Sequence, residues 1–438
     1  IMMKKVRVMT MLCEKTFYEL SLLSYFDTYA VNIPVSDMIR HIQEDEQLMQ
    51  DYGQYPDFQN NMKLVRQINP DEYAHMTVKE WYNDNADSGV VYYTFEMEDA
   101  LIFAFRGSEK LDDVHHKTGW QDWKDNFRMF LKDPTWQQIL TLHQIQKTDI
   151  QKPFYMCGHS KGGNLSLYVA LTMKKELQDY LVKVVSFNAP GITKPILSLY
   201  EQRAKDPEFL EKLLIFENEN DCVSAFFENL KEPVYVRSCY PCTNMEELYH
   251  NHNLYAMDFR DNAYVMAEKK TVMPKFFYHF INDFFMNLKE ERVQRVVAKM
   301  DEYFDSGCSM EELYKLMLVD VSRYVSLFED IPEEEMATIT LQDLIDRRKT
   351  KLIMDKVKEL QPNKTLQKMA DTVRISSPVA KLNEIDMKEI TQGLIDNYEL
   401  MVKEKTKEFQ AMITENNEKI MHAIRSIRNR EGDSQERI

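Results

Sequence analysis

The chain has 438 residues, 44% of them hydrophobic, enough to bury a sizeable core and long enough for two or three domains. Acidic side chains (71) outnumber Lys and Arg (55), and the formal net charge of -16 repels phosphate backbones and anionic membranes. Nucleic acid is therefore not an expected partner, and membrane contact is expected to be at most peripheral, local and apolar.

The six cysteines, at 13, 157, 222, 239, 242 and 308, match no disulfide framework. A reduced, cytoplasmic setting is expected, with export lacking a cleaved signal peptide as the alternative. Cys239 and Cys242 stand at metal or redox spacing, but no second C-x-x-C or H-x-x-H completes a zinc site, so neither metal nor organic cofactor is expected. The apolar run over 8–12 is too short for a secretory signal core, and no run reaches membrane-spanning length.

In chain order, residues 14–80 read as mixed helix and loop, with apolar residues over 17–29 on one helical face that packs on a core. From Gly89 to Gly107 the pattern predicts a β-hairpin turning at Glu98-Asp99, its second arm (100–105) a nearly continuous apolar strand. The segment 109–130, with Gly119, Trp120 and Trp123, is expected to form a cap or lid. Three more core strands are predicted at 152–157, 183–187 and 212–217, separated by helical stretches, with a short fourth at 234–237. Such alternation belongs to α/β proteins, a mostly parallel sheet with helices on both faces.

After residue 265 the texture becomes helical and highly charged. Residues 274–289, with Phe276, Phe277, Phe280, Phe284 and Phe285, predict an aromatic helix docked on the core. Further helices are expected over 291–304, 309–328 and 340–360, and 386–430 reads as a long amphipathic helix, in a coiled coil, hairpin or bundle. The expected units are a catalytic domain (1–265), a helical extension packed on it (266–350) and a helical tail (351–438) available to a protein partner or to self-association.

Chemistry concentrates at Gly158-His159-Ser160-Lys161-Gly162, a G-x-S-x-G between an apolar strand and a helix. That context presents a nucleophilic serine at a tight turn whose glycines leave room where strand and helix cross. A serine nucleophile needs a base, and the base a carboxylate to orient it, in the chain order Ser, acid, His. Asp221 follows the strand at 212–217 and is the candidate acid. Downstream histidines are His250, His252, His279 and His422. His279 falls in the aromatic helix and His422 in the tail, which leaves His250 and His252, just after the last strand signals and ahead of a helix. Upstream, the ring of His159 inside the elbow cannot easily face its neighbour's hydroxyl. Oxyanion donors are expected from the backbone N–H of Lys161 and from Ser108, in the loop after the strand at 100–105. Arg106 reads as a buried charge tying loops together.

Together, F-R-G-S (105–108), W-x-x-D/N (123–126), G-H-S-x-G-G (158–163), N-A-P-G (188–191) and D-x-V (221–223) resemble the class 3, fungal-type lipases of the α/β-hydrolases. G-H-S-K-G-G-N with a later H-x-x-Y (252–255) resembles a bacterial lipase-like family more closely. The resemblance spans about 14–265, with the bacterial group sharing the helices to about 350. It implies an α/β-hydrolase fold with an all-helical C-terminal extension, a triad of Ser160, Asp221 and His252, and oxyanion donors Ser108 and Lys161. Lys161 stands where lipase elbows commonly carry Leu. The implied activity is serine-dependent hydrolysis of carboxylic esters, acyl lipids above all. The alternatives are a thioesterase or small-ester esterase, or a non-catalytic hydrolase fold whose tail binds a partner, including the layout of secreted lipase toxins.

Overall fold

Strands that read as unbroken apolar runs require cover on both faces. In the computed structural model, which describes residues 12–53, 55–109, 116–242, 245–260, 263–271 and 290–306 with 274, 275, 278, 281, 282 and 286, the sheet receives that cover. Eight strands lie side by side in chain order: β1 (Ile33–Pro34), β2 (Thr77–Asp84), β3 (Val90–Glu96), β4 (Leu101–Phe105), β5 (Phe154–His159), β6 (Leu181–Phe187), β7 (Leu213–Asn218) and β8 (Val234–Val236). β1 to β4 pair antiparallel and β4 to β8 pair parallel. Side chains of successive residues point to opposite faces. Thus Leu101, Phe103, Phe105, Phe154, Met156, Val184 and Ile215 join a core beneath the helices Trp136–Lys147 and Lys161–Thr172. Ile102, Ala104, Tyr155, Cys157, Val185 and Phe216 join the other, built with Phe17, Leu20 and Met38 of the N-terminal helices. With a mostly parallel sheet and helices on both faces, this is the α/β-hydrolase arrangement.

The hairpin turns where expected, with Met97 N–H donating to the Ala100 carbonyl at 2.9 Å. The stretch 14–80, read as mixed helix and loop, departs from expectation: Ile33–Pro34 is the short strand β1, and Thr77–Asp84, starting within it, is the long strand β2. Most of it is only partly buried, and a register irregularity between Val78 and Glu80 interrupts the period-two alternation that would have marked it. A second departure concerns the histidines. They end a helix, Met245–His252, and what they precede is only the short 3-10 turn Leu254–Ala256, followed by a small antiparallel pair, Phe259–Arg260 with Ala263–Tyr264.

Helix Glu290–Ser306 lies against helix His116–Arg128, with Trp120 edge-on to Phe304 at 5.0 Å and ion pairs Lys124–Asp305 (2.6 Å) and Arg128–Asp301 (2.8 Å). The aromatic run 274–289 lies mostly outside the described residues. The helices expected over 309–328, 340–360 and 386–430, and the unit 351–438, lie wholly outside them. No described helix is long and apolar enough to cross a membrane.

Candidate active site

The parallel strands end on one edge of the sheet, and the candidate residues gather there. β5 runs into Ser160, whose backbone sits at φ 55°, ψ -126°, a strained conformation for a residue with a Cβ. Its N–H donates to the Phe187 carbonyl at 2.9 Å, and its carbonyl accepts from Asn164 N–H at 3.1 Å. The helix leaving the elbow presses onto the sheet. A Cβ on Gly162 would overlap the carbonyl of Phe105, and one on Gly163 would lie 2.7 Å from the Ala189 Cβ. Glycine is required at both places by space.

The hydroxyl of Ser160 donates to His252 Nε2 at 2.7 Å, and His252 Nδ1 donates to Asp221 Oδ1 at 3.0 Å. Ser160 and Asp221 are buried, and His252 is partly exposed. Asp221 also accepts from the N–H groups of Val223 (3.0 Å) and Ser224 (3.0 Å). Burial alone would push this carboxyl up. The His252 imidazole, Lys270 and the Ser224 hydrogen bond outweigh it and hold the acid down to about 2. Asp221 is thus an acceptor across the working pH range, which fixes the His252 tautomer with its proton on Nδ1 and its lone pair on Nε2 facing the serine.

His250 is occupied elsewhere. Its Nδ1 meets the Tyr255 hydroxyl at 2.5 Å, Tyr255 donates to Asp57, and Tyr240 stacks over its ring. His252 alone of the two faces Ser160.

His159 acts on the site from beneath, a role missed from the sequence. Its Nε2 lies 2.7 Å from the His252 carbonyl, which can only accept, so Nε2 carries the proton and Nδ1 accepts from the Tyr25 hydroxyl at 2.7 Å. Burial keeps the Tyr25 phenol well above its ordinary range, consistent with a donor. Asn188 Nδ2 donates to the same His252 carbonyl at 2.9 Å. Two donors from the sheet edge therefore hold the backbone of the candidate base.

Burial, followed by the neighbouring His252, pushes the His159 imidazole from 6.5 down to about 3. A histidine kept neutral in the fold makes no pH-dependent contribution above its unfolded value. As pH falls below it the unfolded chain takes up a proton that the folded chain refuses, so stability declines. Between pH 7 and pH 5 the wild type is expected to lose about 2 kcal/mol relative to His159→Gln, which keeps a donor and an acceptor without titrating. Urea unfolding of both proteins at the two pH values checks this; a gap that does not change would contradict it.

The loop after β4 is pinned on several sides. Asn126 Nδ2 donates to Ser108 Oγ at 2.8 Å, which leaves the Ser108 hydroxyl proton available to another acceptor. Asp122 accepts from Glu109 N–H at 2.8 Å, and Arg106, buried, reaches the Ser24 carbonyl, Asp27 and Glu109. Lys161 is the first residue of its helix, so its N–H has no acceptor within the helix and points out of the helix start beside Ser160. Its side chain goes the other way, into a buried ion pair with Asp125 of helix His116–Arg128. The segment expected to form a lid is thus tied to the elbow through this helix. Residues 110–115 lie outside the described residues.

Among the described residues no group of three or more His, Cys, Asp or Glu is placed to hold a metal. Cys239 is exposed, and Cys242 lies with Cys222 near the Asn220 carbonyl.

The Mbeg1-like family matches residues 70–304. No curated protein matches the chain. Among solved structures, a mutant form of MDLA from Penicillium cyclopium is 13% identical, over 62% of this chain and 96% of its own, at a TM-score of 0.31. M37 lipase is 14% identical over 76% and 97% at 0.31, and a triacylglycerol lipase from Penicillium expansum 12% over 56% and 89% at 0.28. At these TM-scores the likenesses add nothing to what the geometry says of the site.

Proposed function

The chain belongs to the Mbeg1-like family, and we propose that it is a serine hydrolase of carboxylic esters, with acyl lipids as the preferred class. The observation that carries this reading is the unbroken hydrogen-bond chain from Ser160 through His252 to buried Asp221. As Ser160 Oγ attacks the ester carbonyl, His252 Nε2 takes its proton, and Asp221 stabilises the imidazolium that forms. Negative charge on the tetrahedral oxygen is met by the Lys161 N–H and by Ser108, whose hydroxyl is turned by Asn126. His252 then protonates the departing alkoxide, leaving an acyl-Ser160. A water deprotonated by His252 attacks that ester, releases the acid and restores the serine.

The acyl preference rests on the lipase-like motifs of the sequence; the apolar cluster just past the loop of Asp221, Phe226 and Phe227 with Met129 and Phe130, is core packed against Val293, Val296 and Val297 of helix Glu290–Ser306. The test is turnover of p-nitrophenyl esters from acetyl to palmitoyl. An optimum at medium or long chains is the expected result, and an optimum at acetyl would replace lipids with small esters. No turnover of any ester, with no labelling by a fluorophosphonate, would overturn the hydrolase reading and leave a hydrolase fold that serves by binding.

A further inference from the structure

A buried lysine lies directly behind the candidate acid. Lys270 Nζ donates to the backbone carbonyl of Asp221 at 2.9 Å and to Ser224 Oγ at 2.6 Å, and it is ion-paired with Glu217 at 2.9 Å. Of the three donors of the ammonium, two are hydrogen-bonded to Asp221 and Ser224, and the Glu217 carboxylate faces it as an ion pair without a well-directed hydrogen bond. Those partners span the acid loop: Glu217 on β7 before it, Asp221 within it, and Ser224 in the 3-10 turn Val223–Ala225 after it. Glu217 is fully buried and held on its other oxygen by Asn229 Nδ2 at 2.6 Å, so the lysine's far anchor is itself fixed to the protein. The next residue binds the same loop, with Thr271 N–H donating to the Glu219 carbonyl at 2.9 Å and Thr271 Oγ1 to Asn220 Oδ1 at 2.8 Å.

A buried ion pair seldom adds net stability over an apolar pair of the same volume, because desolvation offsets the attraction. Its geometric effect is different, since it fixes where the groups it touches can sit. We propose that Lys270, anchored by Glu217, is a positioning residue that clamps the Asp221 loop so that the carboxylate meets His252 Nδ1 in line. The inference deepens the serine-hydrolase reading and rests on it for its catalytic consequence. Its geometric content, the His252–Asp221 contact, can be read without turnover.

Lys270→Met alone would strand a buried carboxylate and risks misfolding, so the variant to make is Lys270→Met with Glu217→Gln, which removes both charges and keeps an acceptor for Asn229. Two readouts are taken well below its unfolding temperature: kcat and KM on a p-nitrophenyl ester, and the far-downfield proton NMR resonance of His252 Nδ1–H. Expected are a fall in kcat of at least about tenfold with KM changed by less than about twofold, and a downfield proton that is lost or moved upfield. A kcat within about twofold of wild type together with an unchanged downfield proton would overturn the proposal and leave Lys270 a packing residue. If the wild type hydrolyses no ester, the hydrolase reading fails separately. The resonance still decides, its loss in the double variant supporting the clamp and its persistence overturning it.

Discussion

Replacing Ser160 with alanine is expected to lower ester turnover by roughly a million-fold, to whatever the oxyanion donors and binding alone supply. The hydroxyl oxygen is the one heavy atom lost, and it is the group that gives up its proton to His252 Nε2, 2.7 Å away. The fold is expected to survive, because the backbone contacts of Ser160 to Phe187 and Asn164 do not involve the side chain. Ser160→Gly separates chemistry from strain. At φ 55°, ψ -126° a glycine is more at ease than any residue with a Cβ. The glycine variant is therefore expected to be as inactive as the alanine variant and more stable than wild type by about 1 kcal/mol. Parallel kinetics and urea unfolding check both halves. Retained turnover in either variant would exclude Ser160 as the nucleophile, and a less stable glycine variant would show that the elbow is not strained.

The second large effect is on stability. Asp125→Ala is expected to destabilise the protein by about 3–5 kcal/mol, because it leaves the buried ammonium of Lys161 without its carboxylate. It also removes the acceptor for Gln137 N–H at the start of helix Trp136–Lys147, 3.2 Å away. Lys161→Met with Asp125→Asn is the informative companion. Methionine fills the space of the lysine stem, asparagine still accepts from Gln137, and no charge is left buried. Its stability is expected to return to within about 1 kcal/mol of wild type, since a buried ion pair and an apolar replacement are often equivalent. Turnover should return with it, because the proposed oxyanion donor is the backbone N–H of residue 161 and not its side chain. A double variant that is stable but inactive would show that the Lys161 ammonium itself acts in catalysis.

What could be read from the sequence follows from the range of the signals. The elbow was legible because its glycines answer to a local crowding of strand on helix, and β4 to β7 because strands covered on both faces are apolar throughout. The choice between His250 and His252 was narrowed by scarcity and chain order. The structure separates them because residues two apart on a helix point about 200° from each other, so only one can face the serine. The supports of the site were illegible. Tyr25 with His159, Lys161 with Asp125 and Lys270 with Asp221 join residues 134, 36 and 49 positions apart, and nothing local marks either partner. β2 escaped for a different reason, its irregular register and partial exposure having erased the alternation that identifies a strand.

The most direct test of the central claim is mass spectrometry of the protein after reaction with a fluorophosphonate, with the adduct located by peptide mapping in wild type and in Ser160→Ala. One adduct per chain, on Ser160 and absent from the variant, is the expected result. An adduct on a different serine, or a wild type that stays unlabelled, would contradict the assignment of Ser160 as an activated nucleophile.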